Sequence, residues 1–292
     1  MRISYWPESV ALNGNKPYTA LLDSLREAGY QLVKESMDAD AAVIWSVLWH
    51  GRMAPNQLVW EHYRKQNKPV LVTEVGAIER GITWRIGLNG INRNRSYSSS
   101  GNNNDRARSL GLTLTPWRSD GEYILICGQH DKSLQWQNMP SMSNWFLQTY
   151  DTLRQYTDRP IVFRPHPRCR LPAIEHGLKH VYRREPQHIS GTYDDFDLTF
   201  NNVWATISWN SNPGVHSVLN GVPAFVGPGS LAFDVAAKNL GDIENRYAQI
   251  HNREQWVNDL AWTEYTVEEI AAGLPLSGLR QTLDADIINT MV

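Results

Sequence analysis

Cysteine is nearly absent: Cys127 and Cys169 are the only two in 292 residues. Two thiols cannot build a disulfide framework or a cysteine-rich zinc site, and they suit a reducing compartment, so a cytoplasmic protein is expected. Long apolar runs are missing as well. No stretch approaches the ~20 apolar residues that cross a bilayer, and Pro7 and Glu8 stand where a signal peptide would carry its apolar run. Neither a membrane span nor secretion is expected. Charge of one sign is not in excess either: 28 Lys+Arg against 30 Asp+Glu give a net charge of -2. With a pI of about 6.5, a chain whose whole surface grips nucleic acid is excluded.

What remains is an ordinary globular composition, 41% hydrophobic and 20% charged, at a length that suggests roughly two domains. The 12 Trp are unusual, because indoles are costly to hide completely and often line ligand sites.

Hydrophobic periodicity predicts alternating elements. Strands are expected at Arg2 to Tyr5, Tyr30 to Val33, Ala41 to Ser46 and Pro69 to Thr73, with helices at Pro17 to Ala28 and Pro55 to Gln66. Pro17 suits a first helical turn and Gly29 the position just past a helix end. The strands are apolar with little alternation, as in a parallel sheet covered on both faces. A second alternating unit follows: strands at Glu122 to Cys127, Pro160 to Arg164, Val203 to Ser208 and Val222 to Val226, with helices near Ser143 to Gln155 and Val215 to Asn220. Further helices are expected near Arg253 to Ala261 and Val267 to Ala272. The expected fold class is α/β, with two Rossmann-like domains facing a cleft, residues 1–118 and 119–292, the second including the terminal helices. Ligands in such sheets sit beyond the strand C-termini.

Between them, residues 74–118 read as a long irregular loop broken by Gly76, Gly81, Gly87, Gly90, Gly101 and Gly111. The segment is basic: Arg80, Arg85, Arg93, Arg95, Arg106, Arg108 and Arg118 face only Glu79, Asp105 and Asp120. It is either a solvated arginine loop or a surface that meets phosphates of a substrate or of nucleic acid.

Three strand ends carry residues suited to chemistry. Arg164-Pro165-His166-Pro167-Arg168 fixes one imidazole between two prolines and flanks it with guanidiniums whose forks match phosphate oxygens. The alternative is a structural hydrogen-bonding histidine. Ser208-Trp209-Asn210-Ser211-Asn212-Pro213-Gly214 leads into a helix carrying His216, where hydroxyl, amide and backbone N–H donors together with the helix dipole favour an anion. The same residues could simply cap that helix. Glu74, after Val70 to Thr73, could take a proton from an acceptor hydroxyl, particularly if partial burial raises its pKa, or could pair with Arg80 or Arg85. No Asp-x-Asp pair stands at a strand end to hold a divalent ion, so no metal is expected; Asp194-Asp195-Phe196-Asp197 reads as a surface turn.

His166-Pro167, the Ser/Asn turn before Gly214, Leu219-Asn220-Gly221-Val222-Pro223-Ala224 and the segment Leu260 to Ile270 together resemble the C-terminal half of bacterial capsule polysaccharide Kdo-transferase-like proteins. Glu74-Val75-Gly76 with Gly87-Leu88 is similar to an acidic-glycine stretch of that family. The resemblance spans residues 70 to 275 and is most specific from 160 to 270. It implies a GT-B-type glycosyltransferase, with His166 and Ser208 to Asn212 on the nucleotide of an activated sugar and Glu74 near the acceptor. The chain departs from the family at His216, where a Glu is usual, and at Val75, where an acidic pair is reduced to Glu74 alone. A compact chain of this kind also resembles bacteriophage enzymes that glycosylate hydroxymethylated pyrimidines in DNA.

These resemblances lead to the following expectations. The donor is a UDP- or CMP-linked sugar acting as co-substrate, with no other cofactor; Arg164, Arg168, Ser208, Asn210, Ser211, Asn212 and His216 bind it. His166 and Glu74 are catalytic. Arg80, Arg85, Arg93, Arg95 and Trp84 contact the acceptor, either DNA through the 80–118 segment or a glycan. Trp49, Trp84, Tyr97 and Trp117 could receive an extruded base. Two other readings are a nucleotide or nucleic-acid binding protein without catalysis and a GT-B-shaped sugar-nucleotide epimerase.

Overall fold

The computed structural model describes residues 1–98, 105–245 and 253–290. In chain order it runs β1 (Arg2–Tyr5), α1 (Asn15–Glu27), β2 (Gln31–Lys34), β3 (Ala41–Trp45), α2 (Asn56–Lys65), β4 (Val70–Val75), β5 (Trp84–Leu88), α3 (Asp105–Ser109), β6 (Tyr123–Cys127) and α4 (Met142–Leu153). It continues through β7 (Ile161–Arg164), β8 (Val181–Arg183), β9 (Val203–Ser208), α5 (Asn212–Leu219), β10 (Ala224–Val226), α6 (Arg253–Ala261), β11 (Glu264–Tyr265), α7 (Val267–Ala271) and α8 (Leu274–Asn289). Two compact units result. The first holds residues 1–106 and 258–292, the second residues 107–257. The first boundary thus lies at 106/107 rather than 118/119, and α7 and α8 belong to the first unit rather than the second, with α6 spanning the boundary at 257/258. No helix among the described residues is long and apolar enough to cross a membrane.

The sheet of the first unit has the order β11-β5-β4-β3-β1-β2. Strands β2, β1, β3 and β4 are parallel, whereas β5 and β11 run antiparallel at the edge. The all-parallel expectation fails there. Residues 74–118, expected to be irregular, contain β5, the end of β4 and α3; Gly101 lies outside the described residues. Gly29, with φ +94, ends α1 as its position suggests. The core packs Leu21 and Leu25 of α1, Trp45 and Leu71 of the sheet, and Leu276, Leu279, Leu283 and Ile287 of α8. Their spacing in α8 forms one apolar stripe. Its Pro275, which reads as a breaker in the sequence, sits in the first turn, where no intrahelical N–H is lost.

One buried ion pair joins the returning segment to this sheet. Glu264 of β11 is fully buried and takes Arg85 Nη2 of β5 at 2.9 Å, the Thr83 hydroxyl at 2.9 Å, and the N–H groups of Ala77 and Ile78. Arg106 adds a second tie. Its guanidinium donates to the Ala261 and Glu264 carbonyls and to the Glu269 carboxylate, and lies over the Trp262 and Tyr265 rings. Arg85 and Arg106, expected in a solvent-facing basic loop, are thereby buried structural cations. Arg118, in the second unit, donates to the Phe200 carbonyl at 2.6 Å.

The second unit carries a wholly parallel sheet of order β10-β9-β6-β7-β8. Its core packs Ile124 and Ile126 of β6 against Phe146, Phe163, Ala205 and Phe225. Phe146 and Phe163 approach to 4.2 Å between ring centroids.

Two predictions concern the tie between the C-terminal segment and the first sheet. Removing its cation in Arg85→Met leaves Glu264 buried and unpaired, which should destabilise the first unit by about 3–5 kcal/mol in urea unfolding; a loss under about 1 kcal/mol would show that the backbone donors suffice. Burial alone would raise the Glu269 carboxyl, but the Arg106 guanidinium and the Thr266 N–H hold it below its ordinary 4.5. A carboxylate depressed in this way stabilises the fold above its unfolded pKa and loses that contribution as pH falls through the folded value. Acid melting of Glu269→Gln should therefore depend less on pH, below about 4.5, than that of the parent.

Candidate functional site

In the second unit, β6 is the strand from which the chain winds both ways: β7 lies on one side and β9 on the other. Ligands in open α/β sheets bind at such a reversal, outside the carboxyl ends of the strands. Register brings those ends level. Cys127 of β6 pairs with Arg164 of β7 and with Ser208 of β9, so the two segments picked out by sequence stand about 10 Å apart across one strand. The loop leaving β6 touches both. The His130 ring meets the His166 ring edge-on at 5.5 Å between centroids, and Gln129 Oε1 accepts the Asn210 N–H at 2.9 Å.

His166 is half-buried, and its Nδ1 accepts the Arg168 N–H at 3.1 Å. That bond places the proton of the neutral ring on Nε2, making Nε2 a donor. The flanking guanidiniums are already engaged. Arg164 is buried and donates to the Asp197 carbonyl at 2.6 Å. Arg168 is exposed and pairs with Asp194 at 2.7 Å. The acidic run 194–197 therefore serves as a partner for these arginines, with Asp197 Oδ1 also accepting the Gln187 N–H.

The turn before α5 is built differently from an ordinary cap. Ser211 occupies the N-cap position in extended conformation, yet its hydroxyl makes no capping bond. Ser208 Oγ, Asn210 Oδ1 and Ser211 Oγ are all buried and without a hydrogen-bond partner. Each such atom costs roughly 1–3 kcal/mol unless something meets it. Ser208 is 98% buried, at 2% exposure. Gly214 is required beside it, because a Cβ there would stand 2.7 Å from Ser208 Oγ. The Asn210 amide donates to the Gln135 carbonyl at 3.3 Å, which orients the Oδ1. Asn212 is the first residue of α5, and His216, half-buried, follows one turn later. Unsatisfied hydroxyls at the N-terminus of a helix that also offers backbone N–H groups are chemically able to meet an anion.

In the first unit, Glu74 lies near the end of β4 and is half-exposed. Its Oε2 accepts the Ser46 hydroxyl at 2.6 Å and its Oε1 the Val75 N–H at 2.9 Å. Ser46 follows β3 with φ +64, a left-handed conformation that strains a residue with a Cβ. Its hydroxyl also receives the Leu48 N–H at 3.0 Å. Arg85, register partner of Glu74 on β5, turns its Nη2 to Glu264 instead.

Among the residues expected to meet an acceptor, Arg85 and Trp84 are buried in the first core, with the Trp84 indole against Trp45 at 5.8 Å. Neither can contact an incoming molecule. Arg80, Arg93 and Arg95 are exposed. Tyr97 has a buried hydroxyl, and burial pushes its phenol well above the ordinary range. Trp117 lies under Arg253 at 3.9 Å, and Trp49 is half-buried near Trp60. Receipt of an extruded base by Trp84 is thus excluded by packing, whereas Tyr97 is half-buried.

Sequence reasoning passed over Gln129 and His130, although the rule that directs attention to strand ends applies to β6 as well as to β7 and β9. It also passed over Ser46, whose part depends on a backbone conformation that no motif announces. Cys127 is inert at neutral pH: burial pushes its thiol up to about 12.

No family model and no curated protein matches the chain. Solved structures do. Over 96% of this chain and 100% of the other, it superposes on the β-Kdo 2,7-transferase of Thermosulfurimonas dismutans KpsC with a TM-score of 0.50 and 14% identity. On the β-Kdo 2,4-transferase of the same protein the TM-score is 0.52 at 14% identity, over 94% of this chain and 98% of the other. At that identity the likeness speaks to architecture: the chain has the two-unit α/β fold of GT-B-type glycosyltransferases.

Proposed function

We propose that the chain is a glycosyltransferase that moves a sugar from a nucleotide-linked donor to an acceptor hydroxyl. The observation that carries this reading is the cluster of unpartnered Ser208, Asn210 and Ser211 atoms at the N-terminus of α5, level with His166 across β6. A diphosphate or monophosphate of a UDP- or CMP-linked sugar satisfies the hydroxyls and the helix N–H groups together. In the proposed reaction the acceptor oxygen attacks the anomeric carbon as the bond from that carbon to the phosphate oxygen breaks, and the electron pair leaves with the phosphate. His166 Nε2–H, the Ser208 and Ser211 hydroxyls and the α5 N-terminus meet the charge that develops there. Glu74 takes the acceptor proton. This chemistry is proposed to need no divalent ion on the phosphates. The two unbridged cysteines suit a cytoplasmic setting.

Ser46 is proposed to position the base. Its hydroxyl donates to one carboxylate oxygen, leaving the lone pairs of Glu74 oriented, and the strained backbone is tolerated where geometry matters for function. For the acceptor, the cations exposed in the 80–98 stretch are Arg80, Arg93 and Arg95. They favour an acceptor carrying negative charge, either DNA or an anionic glycan. Salt dependence of binding to duplex DNA, weakened in a variant lacking Arg93 and Arg95, would select DNA; equal binding by that variant would select the glycan.

Ser211→Ala separates a cap from a ligand site. A bonded N-cap serine replaced by alanine costs about 1 kcal/mol, whereas this hydroxyl makes no such bond, so the melt should stay within a degree or two while affinity for UDP or CMP in calorimetry falls several-fold. His166→Ala should abolish transfer and weaken the nucleotide with little change in melting; surviving transfer would remove His166 from the site. Glu74→Gln should bind donor normally and lose about 10²–10⁴ in turnover, while Ser46→Gly should melt no lower than the parent, its strain relieved, and yet turn over more slowly. Unchanged turnover in both would place the base elsewhere.

A further inference from the structure

His130, Asp131 and Cys169 bring one nitrogen, one oxygen and one sulfur ligand atom within 4.8 Å of one another. His130 and Cys169 are buried, and Asp131 is exposed at the rim. The three come from two different loops. His130 and Asp131 follow β6, whereas Cys169 ends the turn after β7, where its N–H bonds the His166 carbonyl at 3.0 Å. The arrangement is a product of folding and not of a sequence motif.

The electronic state of the cluster is informative. His130 Nδ1 accepts the Lys132 N–H at 3.2 Å, so that nitrogen carries no proton and its lone pair is engaged, and Asp131 Oδ1 lies 3.5 Å from the same atom. An ion bound at Nδ1 would take over the lone pair that now meets the Lys132 N–H. The nearby thiol, the softest ligand a protein offers, favours a transition ion over a hard one.

We propose that His130, Asp131 and Cys169 form a binding site for a divalent transition ion of the zinc class. The donor set is neutral imidazole, carboxylate and thiolate, so its two negative charges balance a divalent ion. Binding converts the Cys169 thiol to thiolate and releases its proton to solvent; no electron is transferred. Three protein ligands with one position left for water is a composition found in tetrahedral zinc sites. Bonds of about 2.0–2.3 Å place tetrahedral ligand atoms roughly 3.3–3.8 Å apart, so the cluster must contract, with the 40% exposed Asp131 side chain, already hydrogen-bonded to Cys169, moving inward. A hard ion that bridges phosphates, such as magnesium, is not what these ligands select. The proposal stands apart from the donor-site reading, and a failure of either leaves the other intact.

Cobalt(II) is the probe. Titrated into metal-free protein, it should bind in one equivalent, giving the intense near-ultraviolet thiolate-to-cobalt band and the strong visible absorption of tetrahedral coordination, both displaced by zinc. Calorimetry in buffers of different ionisation enthalpy should report about one proton released. Cys169→Ser should abolish the near-ultraviolet band and weaken cobalt at least tenfold, and His130→Ala should weaken it similarly, while Cys127→Ser retains the band. Cadmium NMR on the unaltered protein needs no variant and should show a resonance shifted by a single sulfur ligand. Weak octahedral absorption without a charge-transfer band, or equal cobalt affinity in Cys169→Ser, would overturn the site.

Discussion

The buried pairing of Glu264 with Arg85 governs how the first unit is assembled. A carboxylate at zero exposure is tolerable only if it is paired and fully hydrogen-bonded, and here one cation, one hydroxyl and two peptide N–H groups surround it. Those donors come from β5 and the turn between β4 and β5. The acceptor comes from a strand about 180 residues further on. A segment that follows the whole second unit is thereby fixed as the edge of the first sheet, and α7 and α8 are carried with it to complete the first core. Arg106 and Glu269 reinforce the same tie, with the guanidinium between two aromatic rings.

This demand for internal cations reshapes the electrostatics. A stretch rich in arginine looks basic when charges are counted along the chain, but Arg85, Arg106 and Arg118 are spent on carboxylates and carbonyls of the fold. Arg164 and Arg168 behave likewise around Asp194 and Asp197. Guanidinium groups can satisfy several acceptors in one plane, so they are efficient at binding loops together. What the turn before α5 leaves unpartnered is neutral: the Ser208 and Ser211 hydroxyls and the Asn210 Oδ1.

Much of the architecture was legible because it follows from local rules. Apolar runs bounded by glycine and proline gave the strands β1, β3, β4, β6, β7 and β9 to within a residue or two, and Gly29 ended α1 at the expected place. Strands β5, β8 and β11 were not legible. Two-residue β11 and three-residue β8 have no period to detect, and β5, Trp84–Leu88, is interrupted by Arg85 and Gly87, which are at home there only because Glu264 and the neighbouring backbone receive them. Helix α8 was hidden by Pro275 and Gly278, whose breaking tendency is harmless in the first turn and against Ser98.

For the site, sequence alone determined which residue types stand at strand ends: an imidazole between prolines, a serine and asparagine turn with a glycine, and a carboxylate near the end of β4. These are local facts, fixed by backbone chemistry within a few residues. Only tertiary structure decided that Cys127 aligns Arg164 with Ser208, that Ser211 leaves its helix uncapped, that Ser46 holds Glu74, and that His130, Asp131 and Cys169 converge. The physical reason is that strand register, burial and hydrogen-bond satisfaction are set by contacts between residues distant in the chain, and no local pattern encodes them.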